Sequence, residues 1–426
     1  MAGDRCEFQY DYPYPHRDLD PGCQFTEETE FFRCGGKSYC RFHLPMADED
    51  GNETAKAAWA RGDREVESFN AAIDAIIETA AKSEQPANLS GVVFPGDIAF
   101  DERELPESLW YEARFEAAAS YHKATFSGPA RFDGATFSGP AWFGGATFSG
   151  PTWFDDATFS GPTWFVGATF SRDADFSWSG KLESRPKTED GGEKEETTSL
   201  AEPGVFYRLD FSGSHIDGVA NFNNRTFKEV ADFSGRVFGR PPKFHGASLH
   251  QGTKWRGTDF TDTESDDAEQ DYRTLRLAME QIRDRPQEAV FFALEQRAMR
   301  HQAKWWQLRK WLSYGYDWTC DYGRSAGWPL AWLAGVAFLF LMAYGWFSEG
   351  YFDQPAEADE LLTFIVRQIV KPFAVWGPLK THGELWSNLS EGRAFLFRVL
   401  ATLQSLLSLG LIALFILALR WQFRRG

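Results

Sequence analysis

Basic residues are in the minority in this chain. Its 426 residues include 44 lysines and arginines against 61 aspartates and glutamates, so the formal net charge is −17. A chain with this balance repels nucleic acid. We therefore expect no nucleic-acid partner.

Catalytic signatures are lacking as well. The sequence contains no G-x-S-x-G, P-loop, H-E-x-x-H or dinucleotide-binding fingerprint. The eight histidines are scattered, and His215, His245 and His250 fall on positions that we expect to face solvent. We predict that the protein is not an enzyme and has neither catalytic nor cofactor-binding residues.

Phenylalanine, in contrast, is abundant and regularly spaced. A unit of eleven residues recurs, as in ATFSGPAWFGG and ATFSGPTWFDD, and a small residue stands two places before each ring. Successive rings are six and five residues apart. This spacing fits neither a helix nor a simple strand, so each unit must be a short extended piece followed by a corner. The rings are Phe126, Phe132, Phe137, Phe143, Phe148, Phe154, Phe159, Phe165, Phe170 and Phe176.

The spacing predicts a coiling chain whose coils lie roughly 4.8 Å apart, the strand-pairing distance. Each ring would then lie over its predecessor, and each fully buried ring would contribute on the order of 1.5–3 kcal/mol. Ser-Gly-Pro and Asp-Gly supply the corners, because glycine permits positive φ and proline presets φ. The same spacing returns from Phe211 to Phe260, and weaker copies extend upstream to Phe94.

These A-x-F units resemble the pentapeptide-repeat family, in a variant with Phe at the centre of the repeat. The resemblance implies a mainly β fold: a right-handed quadrilateral β-helix with four faces per coil and both the Phe and the small residue inward. The regular sixth residue departs from the family pattern and suggests a bulge on alternate faces. We assign the solenoid to residues 92–178 and 204–260.

The segment between the two blocks, residues 179–203, is rich in charge, Gly and Thr and has no aromatic ring. This composition cannot repay the entropy of ordering, so we predict a disordered acidic insertion. A mobile loop is the simpler interpretation, and a binding or modification role is the alternative.

Residues 1–50 form a head that contains four of the five cysteines. Cys40-x-x-His43 is a knuckle whose two side chains can bind one face of a zinc ion. We predict a structural zinc site made by four of five candidates. Two disulfides are the alternative, but they need an oxidising compartment, and no secretory signal is apparent at the start of the sequence. The candidates are Cys6, Cys23, Cys34, Cys40 and His43.

Helices are predicted on both sides of the solenoid. Residues 54–82 place Val66, Phe69, Ile73, Ile76 and Ile77 on one side, and we expect this helix to cap the exposed first coil. Residues 267–311 are predicted to form a helical hairpin that caps the last coil. This pair resembles the helices that follow the repeats in membrane-linked relatives and, loosely, a tetratricopeptide unit. A partner-binding groove is the alternative to capping.

Residues 312–426 are predicted to be a membrane region. Two apolar runs, about 328–347 and 399–419, can each cross a hydrocarbon layer near 30 Å. Tryptophans and basic residues flank them, which predicts a cell-membrane protein with two spans and both termini in the cytoplasm. The basic residues are Lys304, Arg309, Lys310 and Arg324 before the first run and Arg420, Arg424 and Arg425 after the second.

The membrane region also resembles the pore module of tetrameric cation channels, because residues 361–375 form an apolar segment between the spans. No Gly-rich filter follows that segment, however. On the second run, Gln404, Ser405 and Ser408 form a polar stripe that is typical of helix packing, and a pore lining is the alternative.

Three functions from different classes follow. The first is a membrane-anchored scaffold that contacts the lipid bilayer and binds a protein partner or orders a homo-oligomer. The second is an oligomeric channel subunit regulated by the solenoid, which the absent filter disfavours. The third is an acidic DNA mimic acting on a topoisomerase, which the few carboxylates on the outward repeat positions disfavour. We predict the scaffold.

Overall fold

The computed structural model of the chain describes residues 5–9, 22–180, 202–347 and 391–423. The chain divides into two compact units, residues 1–288 and 289–426. The first unit begins with a small head and two helices, continues as a solenoid of short strands, and ends with one further helix. These flanking elements are β1 (Phe31–Cys34), β2 (Lys37–Cys40), α1 (Ala55–Trp59), α2 (Asp63–Ser83) and α3 (Ala268–Gln281).

The solenoid consists of strands β3 to β27, each two residues long, in four parallel sheets that we name A to D. Sheet A contains Glu104–Leu105, Thr125–Phe126, Thr147–Phe148, Thr169–Phe170, His215–Ile216, Val237–Phe238 and Asp259–Phe260. Sheet B contains Ala87–Asn88, Ser108–Leu109, Ala130–Arg131, Thr152–Trp153, Ala174–Asp175 and Ala220–Asn221. Sheet C contains Val93–Phe94, Arg114–Phe115, Thr136–Phe137, Thr158–Phe159, Val205–Phe206 and Thr226–Phe227. Sheet D contains Ile98–Ala99, Ala119–Ser120, Ala141–Trp142, Thr163–Trp164, Leu209–Asp210 and Ala231–Asp232.

Four consecutive strands, one from each sheet, make one coil. Sheet A has seven strands. In the last coil the other three sheets continue only as single bridges at Lys243, Ser248 and Lys254. The predicted solenoid with flanking helices is therefore confirmed, with about seven coils. Its right-handed, quadrilateral form stays a prediction.

The phenylalanine rings fill the interior as the spacing predicted. Phe126 stacks on Phe148 with ring centroids 4.6 Å apart and planes 8° apart, and Phe148 stacks on Phe170 at 4.6 Å and 5°. Phe137 and Phe159 stack in the same way at 5.0 Å and 2°. All five rings are completely buried. Each of these sheets thus contributes its own column of parallel rings to the interior, and rings of neighbouring sheets meet edge-on, as Phe126 and Phe132 do at 78°.

Two kinds of turn explain why the ring spacing alternates between six and five residues. In sheets A and C the ring is the second residue of the strand, and Ser-Gly-Pro follows it at Phe126, Phe137, Phe148 and Phe159. In sheets B and D the ring follows the strand, and the turn includes a residue with positive φ, such as Gly134 (66°), Gly145 (67°) or Asp156 (54°). The additional residue therefore lies in a turn and not in the bulged strand that we expected.

The glycine of Ser-Gly-Pro is required for a different physical reason from the glycine with positive φ. A Cβ atom added to Gly161 would lie 2.5 Å from the carbonyl oxygen of Gly139 in the preceding coil. A Cβ atom added to Gly167, whose φ is 67°, would meet nothing within 4 Å. Close stacking of coils thus requires glycine at position 161, whereas the backbone angle favours it at position 167.

The register continues without a shift across the interruption between the two blocks. Phe159 pairs with Phe206, and Trp164 pairs with Asp210. The solenoid also begins earlier than predicted, at Ala87, because Ala87 and Asn88 pair with the next coil. Most of the predicted acidic insertion, residues 181–201, lies outside the described residues.

Two arginines take the place of the small inward residue in the sixth coil. Arg225 is completely buried and donates to three backbone carbonyls, those of Phe176, Ala157 (2.8 Å) and Phe154 (3.0 Å). Arg236 is 1 % exposed and lies 3.9 Å above the ring of Phe238, but no described residue accepts a hydrogen bond from its guanidinium group. Burial lowers the pKa of Arg236 well below its ordinary value.

The predicted N-terminal helix is in fact two helices, because Gly62 has an extended conformation (φ −119°, ψ 112°) just before α2. Helix α2 buries Phe69, Ile73, Ile77 and Ala80. Phe69 meets the first-coil ring of Phe94 edge-on at 5.9 Å. The helix thus covers the first coil, and its four buried residues follow the spacing of one helical face.

Helix α3 lies on the last coil. The ring of Tyr272 meets Phe260 edge-on at 6.0 Å, and its hydroxyl donates to the carbonyl of Asp262 at 2.6 Å. Lys243 pairs with Asp267 at 3.1 Å. These contacts join α3 to the final coil at three places.

After α3, the described part of the chain forms the α-helices α4 (Arg285–Gln302), α5 (Leu308–Cys320), α6 (Gly327–Phe347) and α7 (Glu391–Phe423). The predicted helical hairpin therefore ends at Gln302, and α5 is a separate helix. Residues Val399–Arg420 of α7 form a helix long and apolar enough to cross a membrane, and within the described residues the apolar part of α6, Gly327–Phe340, is shorter. By length and composition the described residues thus support one span, and the second span stays a prediction. Helices α6 and α7 pack on each other.

We expect the two kinds of glycine to respond differently to alanine. Gly161→Ala should lower the free energy of unfolding by about 2–3 kcal/mol, because the methyl group overpacks against the neighbouring backbone. Gly167→Ala should cost only about 1 kcal/mol, the penalty of a left-handed backbone for a residue with a Cβ atom. Denaturant unfolding followed by circular dichroism compares the two variants. Equal losses would contradict the stacking argument.

The two buried arginines should also differ. Arg236→Met should leave stability unchanged or raise it by about 1–4 kcal/mol, because it removes a buried cation that lacks a hydrogen-bond acceptor. Arg225→Met should cost about 3 kcal/mol or more, because three buried carbonyls lose their donor. Thermal unfolding of both variants beside the parent protein tests this. A large loss for Arg236→Met would show that its guanidinium group has a partner.

Candidate metal centre

The hairpin of β1 and β2 places two of the predicted ligands. Cys40 is the last residue of β2, and the chain then turns so tightly that the amide of Leu44 donates to the carbonyl of Cys40 at 3.0 Å. This turn brings His43 next to Cys40, with Nδ1 and Sγ 3.4 Å apart. Cys40-x-x-His43 is thus a compact knuckle.

Two further cysteines come from separate segments. Glu7 pairs with Ser38 of β2 through its amide (2.7 Å) and its carboxylate (2.7 Å), which places the adjacent Cys6 beside the hairpin. Cys23 precedes Gln24, whose side chain donates to the carbonyls of Asn88 and Ser90 in the first coil at 3.2 and 3.1 Å. The site therefore joins three distant parts of the sequence.

The four side chains converge to the dimensions of a tetrahedral metal site. The ligand atoms of Cys6, Cys23, Cys40 and His43 all lie within 4.8 Å of one another. Cys23 and Cys40 have sulfur atoms 3.8 Å apart, and Cys6 Sγ is 3.6 Å from His43 Nδ1. With metal–sulfur bonds of about 2.3 Å, the edge of a tetrahedron is about 3.8 Å. A disulfide bond requires two sulfur atoms about 2.05 Å apart. The spacing therefore suits a shared ion better than a sulfur–sulfur bond.

The orientation of His43 also suits a metal ligand. Its Nε2 lies 3.0 Å from the carbonyl oxygen of Ser90, which can only accept a hydrogen bond. Nε2 therefore carries the proton, and the lone pair of Nδ1 points toward the three sulfur atoms. The ring of Phe8 stacks on the imidazole at 4.0 Å, which holds it in that plane.

Cys34 is the candidate that the structure leaves out. It stands at the other end of β1, paired with Lys37, whereas Cys40 pairs with Phe31. The two cysteines are separated by three rungs of the hairpin, or about 10 Å. The Cys34 sulfur lies instead 4.0 Å from the carbonyl of Ala47. The register of the hairpin thus keeps Cys34 away from the cluster, which contains the other four predicted ligands.

A buried lysine lies behind the knuckle. Lys56 is completely buried, and its ammonium group donates to the carbonyls of Arg41 (2.7 Å) and Phe42 (2.9 Å), the two residues between Cys40 and His43. Burial lowers the pKa of Lys56 well below its ordinary value. Three thiolates around a divalent ion would carry a net charge of −1, and that charge would favour the protonated form of Lys56. Nothing in the sequence pattern pointed to Lys56, because its position in the head depends on the packing of α1.

The thiols compete for protons when they are this close. Hydrogen bonds from Cys23 and Cys40 lower the pKa of Cys6 well below its ordinary value, whereas the hydrogen bond to Cys40 raises the pKa of Cys23. Three thiolates cannot coexist at these distances unless a cation lies among them. The cluster can therefore hold a metal ion.

The histidines of the solenoid form no comparable cluster. His215 and Asp217 pair on the surface with Nε2 and Oδ1 2.8 Å apart, and both are exposed. In the part of the chain that the structure describes, Cys6, Cys23, Cys40 and His43 are the one group of three or more such residues with metal-site spacing.

The stacked coils place this chain in the class of β-solenoid proteins. Residues 111–158 and 143–179 match the family described as pentapeptide repeats (9 copies). This part of the solenoid is therefore built from pentapeptide repeats, and proteins with such repeats are generally structural or binding proteins. Neither a search of curated proteins nor a search of solved structures found a match.

A pair of serine variants tests the selection of ligands. Protein purified under reducing conditions should contain one equivalent of a bound transition metal, and Cys34→Ser should retain it. Cys23→Ser should lose most of the metal and unfold the head at lower temperature, because three ligands remain. Elemental analysis gives the metal content. Equal metal content in the two variants, or none in the parent, would refute the assignment.

Proposed function

We propose that this protein is a membrane-anchored scaffold without catalytic activity, whose solenoid binds a protein partner through its outer faces. The observation that carries the proposal is the division between interior and surface. The described coils are filled by stacked rings, so ligand recognition falls to the outward side chains. A filled, regular rod suits binding along a surface.

The outer faces of sheets B and D supply suitable side chains. Trp142 and Trp164 of sheet D stack with ring centroids 5.5 Å apart and planes 4° apart. In sheet B the guanidinium group of Arg131 lies 4.0 Å above Trp153. All four side chains remain partly accessible. Tryptophan and arginine are the residues most enriched at the energetic centres of protein interfaces.

We also propose that α6 and α7 both span the membrane and that both termini of the protein lie in the cytoplasm. The apolar stretch Val399–Arg420, the packing of α6 on α7, and the basic residues that flank both helices support it. A cytoplasmic head would keep its thiols reduced.

For the head we propose zinc, held by Cys6, Cys23, Cys40 and His43 in a structural role. Three sulfurs and one imidazole nitrogen are a donor set that zinc commonly takes in closed, four-coordinate sites. The bound ion would supply folding energy to a head in which few of the other described side chains are buried.

The channel alternative has less support. Gln404 and Ser408 are both completely buried within a single chain, as helix-packing residues are. The segment 361–375, on which the resemblance to a pore module rested, lies outside the described residues.

A comparison of two outer faces tests the scaffold. The double variant Trp142→Ala/Trp164→Ala should lose a protein that co-purifies with the parent from native membranes, because it removes the aromatic column of sheet D. The control Thr147→Ala/Thr169→Ala changes two partly exposed residues of sheet A and should retain that protein. Quantitative mass spectrometry of the purified complexes compares them. Identical partner sets for both variants, or no partner for the parent, would contradict the proposed interface.

A further inference from the structure

Helix α5 has its polar side toward the protein and its apolar side toward the outside. Asp317 accepts hydrogen bonds from Arg297 (2.9 Å) and Arg300 (2.7 Å) of α4. Ser313 bonds to the hydroxyl of Tyr322 at 2.7 Å, and Cys320 is completely buried. These contacts fix which face of α5 is turned inward.

The outward face is unusually apolar. Leu308, Trp311, Leu312 and Trp318 are 70, 62, 64 and 68 % exposed, and their spacing places them on one side of the helix. Trp305 and Trp306, just before the helix, are 72 and 62 % exposed. A contiguous patch of six large apolar side chains is not stable against water without a partner.

The surrounding residues indicate which partner covers this patch. Lys304 and Arg309 are exposed, and Asp317, the one acidic residue between positions 304 and 320, is turned inward. Trp318 contacts Trp332 of α6 with ring centroids 4.1 Å apart, so α5 ends beside the first turns of that helix. Exposed tryptophans, cations and an adjoining apolar helix together match the interface of an anionic bilayer.

We propose that the outward face of α5, together with Trp305 and Trp306, lies in the headgroup layer of an anionic membrane. Lys304 and Arg309 contact lipid phosphates, and the tryptophans and leucines enter the boundary of the acyl chains. The inference rests on the membrane anchoring proposed above and adds a lipid-recognition surface to it. The ion pairs of Asp317 hold the helix in the orientation that this requires.

Photolabelling of the full chain tests the proposal. The protein is reconstituted into phosphatidylcholine vesicles with or without phosphatidylglycerol, each containing a phospholipid with a diazirine near its headgroup. Peptide mapping after irradiation should find adducts in residues 304–318, several-fold more in vesicles that contain phosphatidylglycerol. Adducts in residues 399–420 should appear in both kinds of vesicle and report the anchoring itself.

Three variants complete the test. Trp311→Glu/Leu312→Glu should abolish labelling of α5 but not of residues 399–420, and Lys304→Glu/Arg309→Glu should remove the preference for phosphatidylglycerol. Leu277→Glu alters an exposed leucine on α3 and should change neither. Labelling of 399–420 without α5, or cross-links from α5 to a second copy in place of lipid, overturns the inference alone. Absence of labelling in both segments overturns the anchoring as well.

Discussion

The pairing distance between strands of successive coils governs which side chain each position of the repeat can hold. Parallel strands pair at about 4.8 Å, and the rings of Phe126 and Phe148 stack at 4.6 Å in nearly parallel planes. A flat ring fits this repeat distance, because each ring then contacts its neighbours on both faces without a gap. The same distance forces glycine at position 161, where a methyl group would meet the backbone of Gly139. The large and the small positions of the repeat thus have one physical cause.

The columns of rings must end somewhere, and each end of the solenoid exposes apolar surface and unpaired backbone. Phe69 of α2 covers Phe94 at one end, and Tyr272 of α3 covers Phe260 at the other. The head strengthens the first closure, because the carbonyl of Phe42 accepts from the amide of Val93 at 2.9 Å. His43 bonds to Ser90 in the same coil. A metal ion that orders the knuckle would therefore also order the start of the solenoid.

Much of this architecture could be predicted, because the same residue types recur at the same positions in every copy of the repeat. The inward rings followed from their spacing, and even the two arginines stand two places before Phe227 and Phe238, at positions predicted to face inward. The head offered no such repetition. Spacing along the chain could not separate Cys34 from Cys23, since the difference lies in the register of a hairpin. The orientation of α5 was equally hidden, because it depends on Asp317 finding Arg297 and Arg300 in space.

The interruption between the two blocks shows that the solenoid tolerates a long insertion between two of its strands. The chain leaves the solenoid after Trp178 and pairs again from Val205, and Phe159 still lies under Phe206 with ring centroids 5.0 Å apart. Because each coil contacts only its neighbours, an excursion at one corner leaves every other contact in place. The entropic cost of closing a loop rises only with the logarithm of its length, about 0.6 kcal/mol for each doubling. The stretch between Asp175 and Val205 replaces a turn of four residues with 29, which is about three doublings and costs about 2 kcal/mol. The stacked rings on either side of it contribute on the order of 1.5–3 kcal/mol each. The coils can therefore carry an insertion of this length at a corner without losing their register.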